Sequence, residues 1–199
     1  MLHQIALHLA KKKLSHKDGD RSTLEEQTYY IEIFLESILT LSLLLVSAWF
    51  LHLFAEVAVF IFFFMWFRGN TGGYHTRTTI GCSLLSISVA LGASFIAKYW
   101  MMSNWIFLPF VLFSFSIILI FAPVNHPDLA LSIKEIKQCK RTIKGISFLS
   151  TLTLSILSAF HVGPTLLRSA VLAILSTALS IAIAKILKQE VNEYEPDKN

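Results

Sequence analysis

The residues of this chain best suited to covalent chemistry lie in one short run, Arg68-Gly-Asn-Thr-Gly-Gly-Tyr-His-Thr-Arg-Thr-Thr-Ile-Gly-Cys82. It supplies a base and a nucleophile. His75 carries an imidazole whose free pKa lies near neutrality. Cys82 carries a thiol, intrinsically nucleophilic but largely un-ionised until a neighbour activates it. A nearby base and the positive charge of Arg68 or Arg77 are what such a thiol needs in order to attack a carbonyl. Gly69, Gly72 and Gly73 make the segment before His75 a loop that can take positive φ angles and admit another backbone closely. Gly81, beside Cys82, leaves room for a substrate main chain.

Spacing restricts how this pair can work. On one continuous helix, positions seven apart share a face but lie about 10.5 Å apart along the axis. A hydrogen bond needs about 3 Å. His75 is therefore expected in the loop or at the helix entry, folded back over the first turns, with Cys82 inside the helix that follows. The weak helix formers Thr76, Thr78 and Thr79 suit such a late start.

Other chemistries find less support. There is no HExxH, no GxSxG and no pair of aspartates within an apolar stretch. Glu25-Glu26 begins like a glutamate-protease motif but lacks the arginine expected downstream, and reads better as the first turn of a helix. The histidines are dispersed: His3 and His8 on an N-terminal helix, His52 and His161 toward the opposite face. No metal site and no cofactor is expected. Cys139 reads as a bystander, and Asn70 and Glu56 are the side chains available as a third catalytic group.

The elements that must position this pair are set by composition. Hydrophobic residues make up 54% of the chain and charged residues 15%, against roughly 25% charged in a typical soluble domain. Residues 33–187 cannot furnish a polar shell, so a bilayer must solvate most of this surface. The fold class is all-α, a polytopic membrane protein. Six apolar stretches are read, at 33–51, 53–67, 80–97, 105–122, 143–162 and 166–187. A single helix over 33–67 would run about 50 Å, well beyond a hydrocarbon core of about 30 Å, so two helices are expected, folded near His52–Glu56. Residues 1–14 read as an amphipathic helix lying in the membrane interface. Residues 15–22 form a polar break, and Ser22-Thr-Leu-Glu25 is a capping-box signature.

Charge then sets the expected orientation. Lys11–Lys13, Lys17, Arg21, Arg68, Arg77, Lys134, Lys137, Lys140, Arg141, Lys144 and Lys188 fall on one side of six spans, and Lys98 on the other. The positive-inside rule puts that basic side, with both termini, in the cytosol. The expected organisation is an interfacial region over 1–32, a six-helix membrane domain over 33–187 with cytosolic loops at 68–79 and 123–142, and a polar tail over 188–199. Nucleic acid is excluded as a partner: the net charge of +4 comes with no aromatic-basic module. Two cysteines form no disulfide framework. The N-terminus is not expected to be a secretory signal, because its apolar run is short and its lysines follow it. Serine lines on the spans and Gly92 permit close helix packing and a homodimer.

The run from Arg68 through Gly73, His75 and Cys82, followed after two spans by Ala122-Pro-Val-Asn-His-Pro127, resembles the accessory gene regulator B (AgrB) family. The similarity extends over nearly the whole chain: its size, the number of spans, the His–Cys loop, the proline pair and the basic segment beyond it. The resemblance implies a membrane cysteine endopeptidase of the bacterial cell membrane that processes quorum-sensing peptide precursors. It assigns Cys82 as nucleophile, His75 as its base, and Arg68 and Gly73 as required loop positions. The implied partner is a precursor with an amphipathic helix and an acidic C-terminal tail, cut through an acyl-thioester and closed to a thiolactone or lactone. Gly72 and Arg77 are read as supporting the loop, and Lys134, Lys137, Lys140 and Arg141 as contacts for the acidic tail. The alternative is a small transporter or structural membrane protein, which would carry polar groups deep in several spans. Here Glu36, Glu56 and Lys185 all lie near span ends.

Overall fold

The computed structural model describes residues 2–14, 21–74, 76, 78–100, 104–125, 132–160 and 163–189. Among them the chain is all helix: α1 (Leu2–Leu14), α2 (Arg21–Phe50), α3 (Phe54–Thr71), α4 (Thr79–Tyr99), α5 (Asn104–Phe121), α6 (Ile133–Ala159) and α7 (Pro164–Ile186). Five of these, α2, α3, α4, α6 and α7, are long and apolar enough to cross a membrane. The shorter apolar stretch Pro109–Phe121 of α5 completes an arrangement compatible with six spans.

Apolar residues cover the outside as well as the inside, as expected where lipid is the solvent. Helix α2 shows this best: Phe34, Leu39, Leu43 and Val46 are all at least half exposed. Four of its exposed aromatic residues stand at two levels, Tyr29 and Tyr30 near one end and Trp49 and Phe50 at the other. The rise between the levels is about 30 Å, the thickness of a hydrocarbon core. Aromatic rings favour the two interfaces, and Tyr99, Trp100 and Phe160, all exposed, add to the second level. Helix α1 packs against α2, burying Ala6 and Ala10 while Ile5 and Leu9 stay exposed. Small buried residues let the two helices approach closely, and the larger apolar ones are left for the interface.

The reversal between α2 and α3 falls at residues 51–53. His52 takes a left-handed φ of 54°, and Leu53 N–H donates back to the Ala48 carbonyl at 2.8 Å. Such a residue ends a helix by satisfying its last carbonyls. Leu53 is almost fully buried and pins the turn to the bundle.

Helix α7 is the hub, packing on α3, α4 and α5. Half of its apolar window is buried inside the protein, against 11% for α2. Leu167, Ala170, Val171, Ile174, Ala178 and Ile181 form its covered stripe, in one cluster with Phe67 and Phe115, whose rings lie 5.8 Å apart. A second cluster joins Leu44, Ala48, Leu53, Val57, Phe60, Ala90 and Ala173. Between lipid-exposed helices the attraction is chiefly close packing, so the small residues of α7 are what bring its neighbours in.

Three expected boundaries shift. The loop expected to begin at residue 68 begins at Gly72, because Gly69 and Asn70 do not break α3. Residues 133–142, expected in a loop, are the first turns of α6. Ser132 caps that helix: its Oγ accepts the Glu135 N–H at 3.3 Å, and the Glu135 carboxylate accepts the Ser132 N–H at 2.8 Å. The reciprocal bonds satisfy two otherwise unpaired donors. Helix α2 also runs unbroken through residue 32, the expected edge of the N-terminal region. Of the polar break expected at 15–22, residues 15–20 lie outside the described residues, and Arg21 and Ser22 already belong to α2.

The end of the bundle at the 51–53 turn is tied by long cations. Lys98 donates to the His52 carbonyl and pairs with Glu56 at 3.8 Å. Arg168 Nη1 donates to the carbonyls of Ala97 at 3.4 Å and Trp100 at 3.2 Å, capping α4. Arg168, uncounted in the charge tally above, thus belongs with Lys98 at this end.

Candidate active site

At the other end, α3 finishes, α4 begins and α5 finishes. Helix α4 starts one residue after Thr78, whose extended backbone and side-chain oxygen accepting the Gly81 N–H at 3.2 Å make an N-cap. Cys82 N–H donates to the Thr78 carbonyl at 3.0 Å, so the cysteine stands on the first turn of α4, partly buried. The positive end of the helix dipole lies there. One residue on, Ser83 accepts a bond from Thr40 at 2.8 Å, which ties α4 to α2.

Arg68, on the last turn of α3, organises the approach to that turn. Its Nη1 donates to the Gly72 carbonyl at 3.0 Å and to Ser180 Oγ at 2.7 Å, and its Nη2 to the Tyr74 carbonyl at 2.7 Å. Tyr74 N–H in turn reaches the Ser180 hydroxyl at 3.1 Å and the Ser180 carbonyl at 3.2 Å. A planar fork can bind several acceptors at once, which a single ammonium cannot. Arg68 is also close enough to Cys82 for a charge on the sulfur to be felt at the guanidinium.

The glycines explain how the loop fits. Gly73 has φ 138°, and a Cβ there would fall on Arg68 Nη1 and within 2.8 Å of Ser180 Oγ. Gly72 has φ 64°, and a Cβ there would stand 2.6 Å from the Val124 carbonyl oxygen. The chain after α5 comes that close because Val124 N–H donates to the Thr71 carbonyl at 2.9 Å. Pro123, Val124 and Asn125 are all buried against this junction.

The structure thus brings Arg68, Gly72, Gly73 and Cys82 to one end of the bundle. His75 and Arg77 lie outside the described residues. Lys134, Lys137, Lys140 and Arg141 are exposed on the first turns of α6, at the end of the bundle where α5 finishes. Of the two candidate third groups, Glu56 does not fit. Glu56 sits about 18 Å back along α3 from Arg68, paired with Lys98. The Asn70 amide is turned to the Trp66 carbonyl of its own helix. Ser180 and Tyr74 were not singled out from sequence: a serine among the small residues of α7 reads as packing, and a loop tyrosine contributes here through its backbone.

Apolar helices around a buried, arginine-organised loop and a helix-start cysteine define a polytopic membrane protein with a built site at one end. The chain belongs to the accessory gene regulator B family, whose description matches residues 2–187. That family takes part in the processing and secretion of autoinducer peptides in quorum sensing. No match was found among curated proteins or among solved structures.

Proposed function

We propose that the protein is a membrane-embedded cysteine endopeptidase that removes the C-terminal tail of an autoinducer precursor and promotes its cyclisation. The observation that carries this reading is Cys82 on the capped first turn of α4, within electrostatic reach of an arginine that organises the glycine loop leading to His75. His75 takes the proton of Cys82, and the sulfur attacks the carbonyl carbon of the scissile peptide bond. Negative charge then develops beside the positive end of α4. The C–N bond breaks, His75 returns the proton to the leaving amine, and the tail departs. An acyl-thioester on Cys82 remains. A cysteine thiol or serine hydroxyl of the peptide gives its proton to His75 and attacks that carbonyl, the C–S bond breaks, and the ring closes as the Cys82 sulfur leaves and takes the proton back from His75.

Transfer of an acyl group from one thiol to another is nearly balanced in energy, whereas a thioester made from an amide is uphill. Release of the tail therefore drives the first step. Apolar surroundings keep water from the thioester. Lys134, Lys137, Lys140 and Arg141 hold the acidic tail by charge. The site end faces the cytosol of a bacterial cell membrane, with both termini on that side, and Gly92 and the serine lines leave room for two copies to pair.

The test is tail removal from a tagged precursor by the full chain in liposomes. Cys82→Ala and Cys82→Ser abolish it on this reading. Unchanged release in Cys82→Ala would falsify the mechanism.

A further inference from the structure

Several described serines within the spans spend their hydroxyls on their own helix: Ser114 on the Phe110 carbonyl, Ser116 on Leu112, Ser176 on Leu172. This local back-bonding is the usual fate of serine in an apolar helix. Ser180 is different. Its oxygen faces another segment and receives two donors from it, Arg68 Nη1 at 2.7 Å and Tyr74 N–H at 3.1 Å. Its carbonyl shares the same Tyr74 N–H at 3.2 Å. Gly73 passes so tightly over this point that a Cβ would meet both Arg68 and Ser180. Tyr74 directly precedes His75 in the chain.

We propose that Ser180 is a positioning residue of the site: it fixes the backbone at Tyr74 and the Arg68 fork against α7, one residue ahead of His75 in the chain, and the action of that base depends on it. This rests on the cysteine-peptidase reading. Small displacements of a positioned base reduce rates strongly, by roughly 100-fold for about 1 Å.

The experiment reads alkylation of Cys82 by iodoacetamide in the full chain in liposomes, with Cys139 followed in the same sample by mass spectrometry as an internal control. His75→Ala slows Cys82. Ser180→Ala slows it roughly 10- to 100-fold and leaves Cys139 unchanged. The double variant Ser180→Ala/His75→Ala is no slower than His75→Ala alone, because both act through one base. Ser180→Thr, which keeps the oxygen, recovers most of the rate. The proposal is overturned if Ser180→Ala reacts like the wild type, if the two losses multiply, or if Cys139 changes in parallel. Should His75→Ala itself leave Cys82 unaffected, the peptidase reading falls, which is a separate outcome from failure at Ser180.

Discussion

Replacing Arg68 by lysine separates the charge of this residue from its shape. The guanidinium holds three acceptors from two nitrogens: Gly72 O at 3.0 Å and Ser180 Oγ at 2.7 Å from Nη1, and Tyr74 O at 2.7 Å from Nη2. A lysine ammonium would keep a positive charge near Cys82, but as a single point it cannot occupy both nitrogen positions. At least one charge-assisted bond is lost. Each such bond contributes about 1.5–3 kcal/mol, which corresponds to a fall of about 10- to 150-fold if the bond is needed in the transition state. Were electrostatics alone at work, lysine would serve nearly as well as arginine, since the charge is retained. The assay is tail removal from the precursor by Arg68→Lys and Arg68→Met in liposomes, with Cys82 alkylation measured alongside. Both variants are expected to be strongly impaired. Lysine at close to the wild-type rate, with methionine inactive, would show that charge suffices and that the fork is not what matters.

Three further perturbations follow from the same contacts. Gly73→Ala places a side chain at φ 138° against Arg68 and Ser180, with about 1–3 kcal/mol of backbone strain in addition to the clash. It should lose tail removal while still inserting in the membrane, and retained cleavage would show that the loop yields. Lys98→Met leaves the buried Glu56 without its cation. A buried pair broken in this way costs about 3–5 kcal/mol, and partial exposure of Lys98 brings this one below that. The melting temperature in detergent should fall and recover in Lys98→Met/Glu56→Gln, whereas an unchanged melting curve would mark the pair as idle. Neutralising Lys134, Lys137 and Lys140 to glutamine should weaken binding of a peptide with an acidic tail at low salt, and the difference should vanish near about 1 M salt, where charges are screened within about 3 Å. Equal binding at low salt would remove these residues from substrate recognition.

Much of this fold is legible in the sequence because the bilayer imposes a length. The stretch 33–67 is too long for one span, and the chain does turn at His52. The late start of α4 is legible as well, since Thr78 can cap and Gly81 can bring its N–H to it. Boundaries resting on glycine or charge alone are less so. Gly69 looks like a stop but lies inside α3, where nothing stands within 4 Å of its missing side chain. The lysines of 134–144 look like a loop, although Ser132-Ile-Lys-Glu135 carries the capping spacing that starts a helix there. Ser180 leaves no local signal. Its role arises only when α7 meets the loop after α3, a contact between distant parts of the chain.

That distance gives the Arg68–Ser180 contact a meaning in time. The two residues are 112 positions apart. At ribosomal speeds of about 5–20 residues per second, Arg68 waits roughly 6 to 22 s for its partner to be made. Until α7 enters the membrane, the arginine fork lacks one of its acceptors and the Tyr74 N–H lacks both of those that Ser180 supplies. On the peptidase reading, a nascent chain displays Cys82 before the loop ahead of His75 is anchored, and activity begins only once α7 is in place.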